Sequence, residues 1–392
     1  MWTRLQPVCN LMIDGYKKIL QYRVNRVIFD RTFQMHLYGI LNVGNTCFLN
    51  TFIQIFHQID ELQSIYTDTF PKFAHSTLPE TEFIHEWVEL YNFIVAQTNS
   101  GGGKEEQPNL PPPPPPIIRP AKFIHSLHTF SSKKNNDQFS NFCQNDFTEF
   151  MMLFIQAFHT SICRKQTFLF RGEQKSKLDQ DCLKYLKGEF EREYSEITDL
   201  FFNVQVTFLH SIENPSIELS HNPEMCFPID LPIPEHRPHE NVPITIYDCL
   251  NEYIKGDYLI GDNAWWNDKT GRKENAVKST LFWKLSNILI FALKRVSPCG
   301  SRKRDELVDF PLTDLNMSPY LCAGKDGGNT YRLFAVCFHY GSFTGGHYNT
   351  CMLDATTNEW IGIDDDNITR PVDIEKFKSH AYCLFYRKNE IV

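Results

Sequence analysis

The sequence lacks several features that would place the protein outside the cell interior or in a membrane. Its 12 cysteines include no C-x-x-C pair, and no hydrophobic run approaches the length of a transmembrane helix. Residues 1–19 lack the apolar core of a signal peptide. These absences predict an intracellular protein, cytoplasmic or nuclear, with free thiols and no membrane partner.

Strong charge of either sign is also missing. The formal net charge is −8 over 392 residues, and no basic stripe is present, so we expect no nucleic-acid partner. Apolar material is abundant, with 42% hydrophobic residues and 32 phenylalanines, which is ample for a core with much aromatic packing. A slightly acidic surface suits a basic peptide as ligand.

One cysteine stands where the sequence predicts the start of a helix, within residues 38–59. The apolar residues after it recur at helical spacing and predict a largely buried helix. Asn45 and Thr46 are good N-capping residues, and Gly44 allows a tight turn before them. A thiol at this place faces the positive end of the helix dipole, which stabilises a thiolate. Cys47 is therefore a candidate nucleophile, although most free cysteines are simply small buried side chains.

A β-hairpin is predicted near the other end of the chain. Residues 347–353 and 360–364 alternate between apolar and polar side chains, and turn-forming residues separate them. With the turn centred on residues 355 and 356, His347 lies directly opposite Asp364, and opposed Cβ atoms are about 4.5–5.5 Å apart. The carboxylate then holds one imidazole nitrogen and leaves the other to take a proton from a thiol. Cys47, His347 and Asp364 together form a candidate catalytic triad.

These motifs resemble those of the ubiquitin-specific proteases, a family of deubiquitinating enzymes. Residues 39–48 (GILNVGNTCF) are similar to the family's Cys box, with Ile40 in place of its leucine. Residues 346–348 (GHY), with Trp360, Asp364 and Asp365 further on, are similar to its His box. Residues 144–150 (QNDFTEF), 293–295 (LKR) and 382–387 (YCLFYR) resemble three further motifs in the expected order. The resemblance runs from about residue 37 to residue 387.

The resemblance implies an α+β, papain-like cysteine protease fold with a helical thumb, a β-rich palm and extended β fingers. It implies a catalytic domain at residues 37–392 behind an N-terminal extension at 1–36, with the fingers at about 200–290. It further implies that Cys47, His347 and Asp364 hydrolyse the (iso)peptide bond after the C-terminal Gly-Gly of ubiquitin. Asn42 matches the family's oxyanion asparagine, and Asp365 matches a second acidic position that supports the histidine and the oxyanion site.

Five residues are candidates for binding the substrate. Asp146 and Glu149 lie three apart on a helix predicted at 144–158, where two carboxylates suit either a solvated surface or an arginine-binding site. The family resemblance favours a subsite for arginine in the basic C-terminal tail of ubiquitin. Gly345 and Gly346 lack side chains and allow a narrow channel that admits two glycines. Tyr348 is expected to wall that channel.

From residue 201 the pattern changes to strands, predicted at 201–208, 217–220, 225–233, 242–250 and 287–293. Many members of the family bind structural zinc here through two C-x-x-C knuckles. This chain has Asn267 and Thr270 in place of the second knuckle, and residues 210–216 supply no replacement pair. We therefore expect no metal and no other cofactor, and a fingertip held by packing that involves Trp265 and Trp266.

Residues 99–120 form a compositional break with three glycines near its start and six consecutive prolines, 111–116. We expect an exposed insert loop with a flexible beginning and a stiff polyproline end. A spacer is the simpler interpretation of this segment. Docking of an SH3, WW or profilin-type partner is the alternative.

Two alternative functions stay open at the level of sequence. Some members of the family lose the triad, so the chain is alternatively a non-catalytic ubiquitin-binding scaffold. The same chemistry also suits another ubiquitin-like modifier, because these modifiers share a Gly-Gly tail. Only the fingers and the arginine subsite discriminate between such modifiers.

Overall fold

The computed structural model describes residues 35–100, 114–168, 176–235, 242–296, 303–322, 329–342 and 345–389. The helices are α1 (Cys47–His57), α2 (Asp60–Ser64), α3 (Phe70–Phe73), α4 (Pro79–Ser100), α5 (Ala121–Lys133), α6 (Phe147–Ile162), α7 (Lys177–Arg192), α8 (Glu196–Phe201) and α9 (Ile246–Ile254). Most of the N-terminal extension expected at 1–36 lies outside the described residues.

The strands are β1 (Gly39–Ile40), β2 (Ile117–Ile118), β3 (Asn203–Ser211), β4 (Glu218–Cys226), β5 (Ile229–Pro232), β6 (Ile244–Thr245), β7 (Asp257–Leu259), β8 (Trp265–Asn267), β9 (Arg272–Glu274), β10 (Ala276–Lys284), β11 (Ile288–Lys294), β12 (Val308–Asp309), β13 (Leu315–Asn316), β14 (Thr330–Ser342), β15 (Gly345–Asp354), β16 (Glu359–Asp364), β17 (Asn367–Thr369) and β18 (Ala381–Lys388). The mixture of helices and sheets confirms the expected α+β class.

The largest sheet has the strand order β17-β16-β15-β14-β18-β11-β5, with β13 added to β14. Its pairs are antiparallel except for β11 with β5. Strand β11 is buried on both faces: Ile288 and Ile290 belong to the core on the helical side, whereas Leu289 and Phe291 belong to a second core on the other side. This two-sided burial explains its continuous apolar run, because successive side chains of a strand point to opposite faces.

Helix α1 lies at the centre of the helical region, and every residue of it is buried. Phe52 packs against Trp87 of α4 at 5.5 Å between ring centroids and against Phe150 and Phe154 of α6 at 4.8 Å each. Such aromatic pairs contribute about 0.5–1.5 kcal/mol each beyond their buried area. The helix that carries Cys47 is thus fixed on all sides.

A separate four-stranded antiparallel sheet, β4-β3-β10-β7, forms the extended β region expected at about 200–290. The strand predicted at 242–250 within this stretch is wrong, because only Ile244 and Thr245 are extended and α9 follows at once. The Thr245 hydroxyl accepts from the Asp248 amide at 3.2 Å, and the Asp248 carboxylate accepts from the Thr245 amide at 2.8 Å. This reciprocal capping box starts a helix despite the β-branched residues before it.

The insert predicted at 99–120 is ordered at both ends that the structure describes. Helix α4 continues to Ser100, and Ile117–Ile118 pairs in parallel with Gly39–Ile40. The expectation of a loop is therefore wrong at 99–100 and 117–118, whereas Ile117 is exposed as expected. Residues 101–113 lie outside the described residues.

Candidate active site

Cys47 is the first residue of α1, as predicted, and is 2% exposed. The turn before it uses two residues with positive φ, Gly44 at 115° and Asn45 at 53°. The side-chain oxygen of Asn42 accepts from the Gly44 amide at 3.1 Å and from the Thr46 amide at 3.3 Å. Thr46 makes no side-chain cap to the helix, so Asn42, and not the predicted cap, organises the turn.

His347 is held by an acid and is influenced by a thiol. Its Nε2 lies 2.5 Å from Asp364 Oδ1, and the Cys47 side chain is near enough to raise its pKa. Because Nε2 is engaged by the carboxylate, Nδ1 is the nitrogen left for the sulfur. The bond to Asp364, and after it the influence of the Cys47 side chain, raises the pKa of His347 to about 10. The same contact lowers the pKa of Asp364, so the pair favours imidazolium beside carboxylate.

The predicted register of this hairpin is wrong. Thr350 pairs with Ile363 and Asp354 pairs with Glu359, so His347 is not directly opposite Asp364. The turn is centred one residue later than expected because Asn358 takes the left-handed conformation, with φ 58°. A one-residue move of the turn slips the pairing by two residues. Since strand side chains alternate with period two, His347 and Asp364 stay on the same face and within reach.

Asp365 occupies a different position from its neighbour Asp364. One of its oxygens accepts from Asn42 Nδ2 at 2.9 Å and the other from Asn50 Nδ2 at 2.7 Å. Its side chain is 13% exposed, against 51% for Asp364, and it lies 4.0 Å from His347 Nε2. Asp365 therefore orients the asparagine side chain beside the nucleophile. Sequence reasoning missed Asn50, whose position one turn after Cys47 on the same helix was the available signal.

Strand β1 links the cysteine side of the site to the carboxylate side. The Ile40 amide donates to the carbonyl of Asp365 at 2.9 Å. A Cβ on Gly39 would lie 2.7 Å from the carbonyl oxygen of Asp366, a distance that real Cβ atoms do not reach. Gly39 is thus required for the close approach of the two backbones. The sequence marked this glycine as part of a motif, but the role depends on a segment more than 300 residues away.

A cavity of about 150 Å³ lies along Gly345 and Gly346, which directly precede His347 in the chain. The Gln144 side chain donates to the carbonyl of Gly346 across this groove. A Cβ on Gly346 would overlap both the Tyr340 carbonyl oxygen and His339 Nε2. Glycine is therefore needed there for packing inside the sheet as well as for a narrow groove. The cavity is lined by Gln144, Asn145, Asp146, Arg295, Val296, Lys303, His339, Gly345, Gly346, Tyr348 and Tyr382.

Comparison with known proteins decides the family. The profile of the ubiquitin carboxyl-terminal hydrolases matches residues 38–386. The chain belongs to this family. The resemblance to the ubiquitin-specific proteases, and the papain-like α+β fold that it implied, are confirmed.

Relatives and solved structures match different shares of the chain. Ubiquitin carboxyl-terminal hydrolase 2 of Rattus norvegicus is 25% identical over an alignment of 367 residues that covers 89% of this chain and 54% of that protein. Ubiquitin carboxyl-terminal hydrolase 9 of Arabidopsis thaliana is 35% identical over 147 residues, 37% of this chain and 16% of that protein. The chain thus spans about half or less of the length of these relatives.

The fold is similar to that of the SAGA DUB module, which contains Ubp8, Sgf11, Sus1 and Sgf73, in its complex with monoubiquitin. The TM-score is 0.67 at 18% identity, and the match covers 95% of this chain and 75% of the other. The module bound to ubiquitin aldehyde matches with a TM-score of 0.66, covering 92% and 71%. No helix among the described residues of this family member is long and apolar enough to cross a membrane.

The two carboxylates proposed for an arginine subsite do not share a helical face in this family member. Helix α6 begins at Phe147, and Asp146 is its N-cap, accepting from the amides of Thr148 and Glu149 at 2.7 and 3.0 Å. The other oxygen of Asp146 accepts from Tyr348 at 3.0 Å and from Tyr382 at 2.5 Å. Asp146 is thus fully occupied within the protein, and Tyr348, 4% exposed, is anchored by it.

The fingertip of this family member does not fit a zinc site. Asn267 Nδ2 and the Thr270 hydroxyl both donate to Glu274, at 3.1 and 2.6 Å, across the β8–β9 hairpin. Neither residue type is a usual zinc ligand, and the carboxylate already serves this turn. Trp266 is 54% exposed, so the expectation that it packs the tip is wrong. Hydrogen bonds around one carboxylate hold the hairpin instead.

One group among the described residues has metal-ligand spacing: His347, Asp364 and Asp365, whose ligand atoms lie within 4.8 Å of one another. The histidine nitrogen and the first carboxylate already form a hydrogen bond with each other. Both oxygens of the second carboxylate accept amide hydrogens. The group is therefore accounted for by the triad members His347 and Asp364 and by the contacts of Asp365 with the two asparagines.

Proposed function

We propose that this chain is a thiol-dependent deubiquitinase that hydrolyses the (iso)peptide bond after the C-terminal Gly-Gly of ubiquitin. The observation that carries the proposal is the imidazole of His347, which is bonded to Asp364, has its pKa raised by Asp364 and then by Cys47, and follows directly after two glycines that line a groove. Family membership supports ubiquitin as the modifier. We further propose that residues 37–392 form the catalytic domain and 1–36 an extension.

The nucleophile in this mechanism is the Cys47 thiolate. Its proton resides on His347, whose raised pKa keeps the ring protonated at neutral pH. The unpaired amides at the start of α1 add a favourable potential for the negative sulfur. Asp364 fixes the ring through Nε2, so that Nδ1 points at the sulfur throughout the reaction.

The oxyanion formed on attack is stabilised by two donors. The Cys47 backbone amide lies in the first turn of α1, where amides have no partner within the helix. The amide nitrogen of Asn42 carries two hydrogens, of which one is given to Asp365 and the other is free for the oxyanion. Removal of one such donor costs about 2.7–4 kcal/mol in the barrier.

Collapse of the tetrahedral intermediate completes acylation. The imidazolium of His347 gives its proton to the leaving lysine amine, and the ubiquitin glycine remains on Cys47 as a thioester. His347 then takes a proton from water, which attacks the thioester and releases the ubiquitin carboxylate. Each of these steps uses only water and groups of the chain itself.

The substrate tail is proposed to lie in the groove between Gln144 and Gly345–Gly346. When the tail binds, the hydrogen bond between the Gln144 amide and the Gly346 carbonyl breaks, and peptide groups of the tail bond to these two partners instead. Tyr348 walls the groove. Glu149 is the better candidate for the tail arginine, because the oxygens of Asp146 already accept four hydrogen bonds. The four-stranded sheet is proposed to cradle the body of ubiquitin.

Ubiquitin with a C-terminal vinyl electrophile tests this function. We expect covalent labelling of the wild-type chain and none of Cys47→Ala, while Cys163→Ala, at a partly buried cysteine elsewhere, labels normally. Binding without labelling by the wild-type chain would support a scaffold. Labelling by a different modifier in preference to ubiquitin would reassign the substrate. An intracellular, cytoplasmic or nuclear location and a polyproline partner remain proposals.

A further inference from the structure

Asn50 is a buried polar residue that the mechanism above leaves without a role. It lies on α1 one turn after Cys47 and is 1% exposed. Its amide nitrogen donates to Asp365 Oδ1 at 2.7 Å and is 3.5 Å from the carbonyl of Ile40. Its side-chain oxygen has no hydrogen-bond partner among the described residues. A buried amide with an unpaired oxygen costs stability, so its retention needs a reason.

Because the side-chain oxygen of Asn50 is unpaired, only its amide nitrogen contributes hydrogen bonds. Rotating the amide by 180° would aim its oxygen at the carboxylate of Asp365, and two acceptors would face each other. The orientation is therefore set by Asp365, and Asn50 serves to donate to that carboxylate. The bond is charge-assisted and partly shielded from water, which makes it stronger than a neutral surface bond.

Asp365 has two possible partners for the oxygen that faces the active site. Oδ2 accepts from Asn42 at 2.9 Å and lies 4.0 Å from His347 Nε2. A small rotation of the carboxylate would move this oxygen toward the imidazolium, where it would compete with Asp364 and release Asn42. The donor from Asn50 on the opposite oxygen opposes that rotation.

We propose that Asn50 is a positioning residue for the oxyanion site: it fixes the carboxylate of Asp365, which in turn aims the amide of Asn42. The inference rests on the proposed function and extends it from the groove into the core of α1. Asn50 touches neither substrate nor sulfur in this role. It acts through Asp365, to which it makes the shorter of its two hydrogen bonds.

The first test compares Asn50→Asp with Gln54→Glu, using ubiquitin with a fluorogenic C-terminal amide. Gln54 is a matched control, because it lies on the same helix, is 1% exposed, has an unpaired side-chain oxygen and donates to the backbone oxygen of Tyr38. Asn50→Asp sets two carboxylates against each other, and we expect kcat to fall about 10- to 100-fold with KM nearly unchanged. Gln54→Glu buries a similar charge but leaves kcat of the folded protein close to wild type.

The second test is a reciprocal exchange. In Asn50→Asp combined with Asp365→Asn, the new asparagine donates to position 50 and accepts from Asn42, while the number of carboxylates stays the same. We expect this double variant to recover at least about tenfold in kcat over Asn50→Asp. Thermal melts and alkylation of Cys47 by iodoacetamide, which needs no oxyanion site, verify that each variant is folded with a reactive thiol.

The outcomes separate the inference from the function beneath it. A wild-type chain without activity on ubiquitin or a related modifier overturns both. An active wild type in which Asn50→Asp turns over normally, or loses no more than Gln54→Glu, overturns only the role of Asn50. An exchange variant that stays as slow as Asn50→Asp, although folded and alkylated normally, also overturns it.

Discussion

The catalytic groove and the fingertip hairpin are held together in opposite ways. In the groove, the Asn42–Asp365 bond joins residues separated by 323 positions, and β1 hydrogen-bonds directly to the turn that carries the carboxylates. In the fingertip, the described hydrogen bonds to the Glu274 carboxylate all come from within seven residues of it. The groove is a meeting of distant segments fixed by main-chain contacts, whereas the tip is a local turn. Changes in the groove should therefore affect chemistry, and changes at the tip should affect affinity or stability.

The largest expected effect among four variants is that of Asn42→Ala. Loss of the oxyanion donor should lower kcat by about 10²- to 10³-fold with little change in KM. Steady-state kinetics on ubiquitin with a fluorogenic C-terminal amide measures both constants. If the variant changed only KM, Asn42 would bind the substrate in the ground state. A change in the groove would then affect affinity, as expected of the fingertip, and the two regions would no longer differ in this respect.

Asp364→Asn should cost less, because an amide can still hold the imidazole in place. General acid–base catalysis contributes at least about 100-fold to the rate, and we expect kcat of this variant to fall by less than that. Asp364 raises the pKa of His347, so its removal lets the imidazolium lose its proton at lower pH. The basic limb of the kcat/KM profile, expected near pH 10 in the wild type, should move downward. A variant that is folded but wholly inactive, or an unmoved basic limb, would contradict this role.

Gly346→Ala tests the packing of the groove. Its Cβ would overlap the backbone of Tyr340, so β14 or β15 must shift, at a cost of about 1–3 kcal/mol in the free energy of unfolding. Gly188→Ala is the matched control, because this helical glycine has nothing within 4 Å and should gain about 0.5–1 kcal/mol. Denaturant titration compares the two. Equal effects would show that the groove has more room than the structure describes.

Glu274→Gln should have the smallest effect on turnover. Weaker acceptance from Asn267 and Thr270 loosens the hairpin, so Tm falls slightly and kcat stays at the wild-type value. A metal chelator should leave Tm unchanged, and elemental analysis should find no stoichiometric zinc. A large loss of kcat in this variant would erase the distinction between tip and groove.

The sequence was sufficient where the physics is local or repeats with a fixed period. The helix start at Cys47 follows from turn residues and apolar spacing. His347 and Asp364 share a face because a strand alternates with period two, and this survived an error of register. The family motifs located the fold. These features depend on neighbours in the chain, which a single sequence contains.

Other features depend on contacts that no single segment encodes. The choice of left-handed conformation at Asn358 shifted the turn, although several neighbouring residues also tolerate turns. Asp146 accepts hydrogen bonds from two tyrosines on distant strands and caps helix α6. It therefore has a structural role and does not form the expected arginine-binding pair with Glu149. Asn50 shows its role only when Asp365 is beside it. In each case the deciding partner is far away in sequence.

The pairing of β1 with β2 gives the proline run a mechanical connection to the nucleophile. The carbonyl of Pro116, the last of the six prolines, accepts from the Gly39 amide at 2.9 Å, and the same short strand leads into the loop that ends at Cys47. A displacement of the described end of the insert would therefore act first on this hydrogen bond, which lies eight positions before the thiol in the chain.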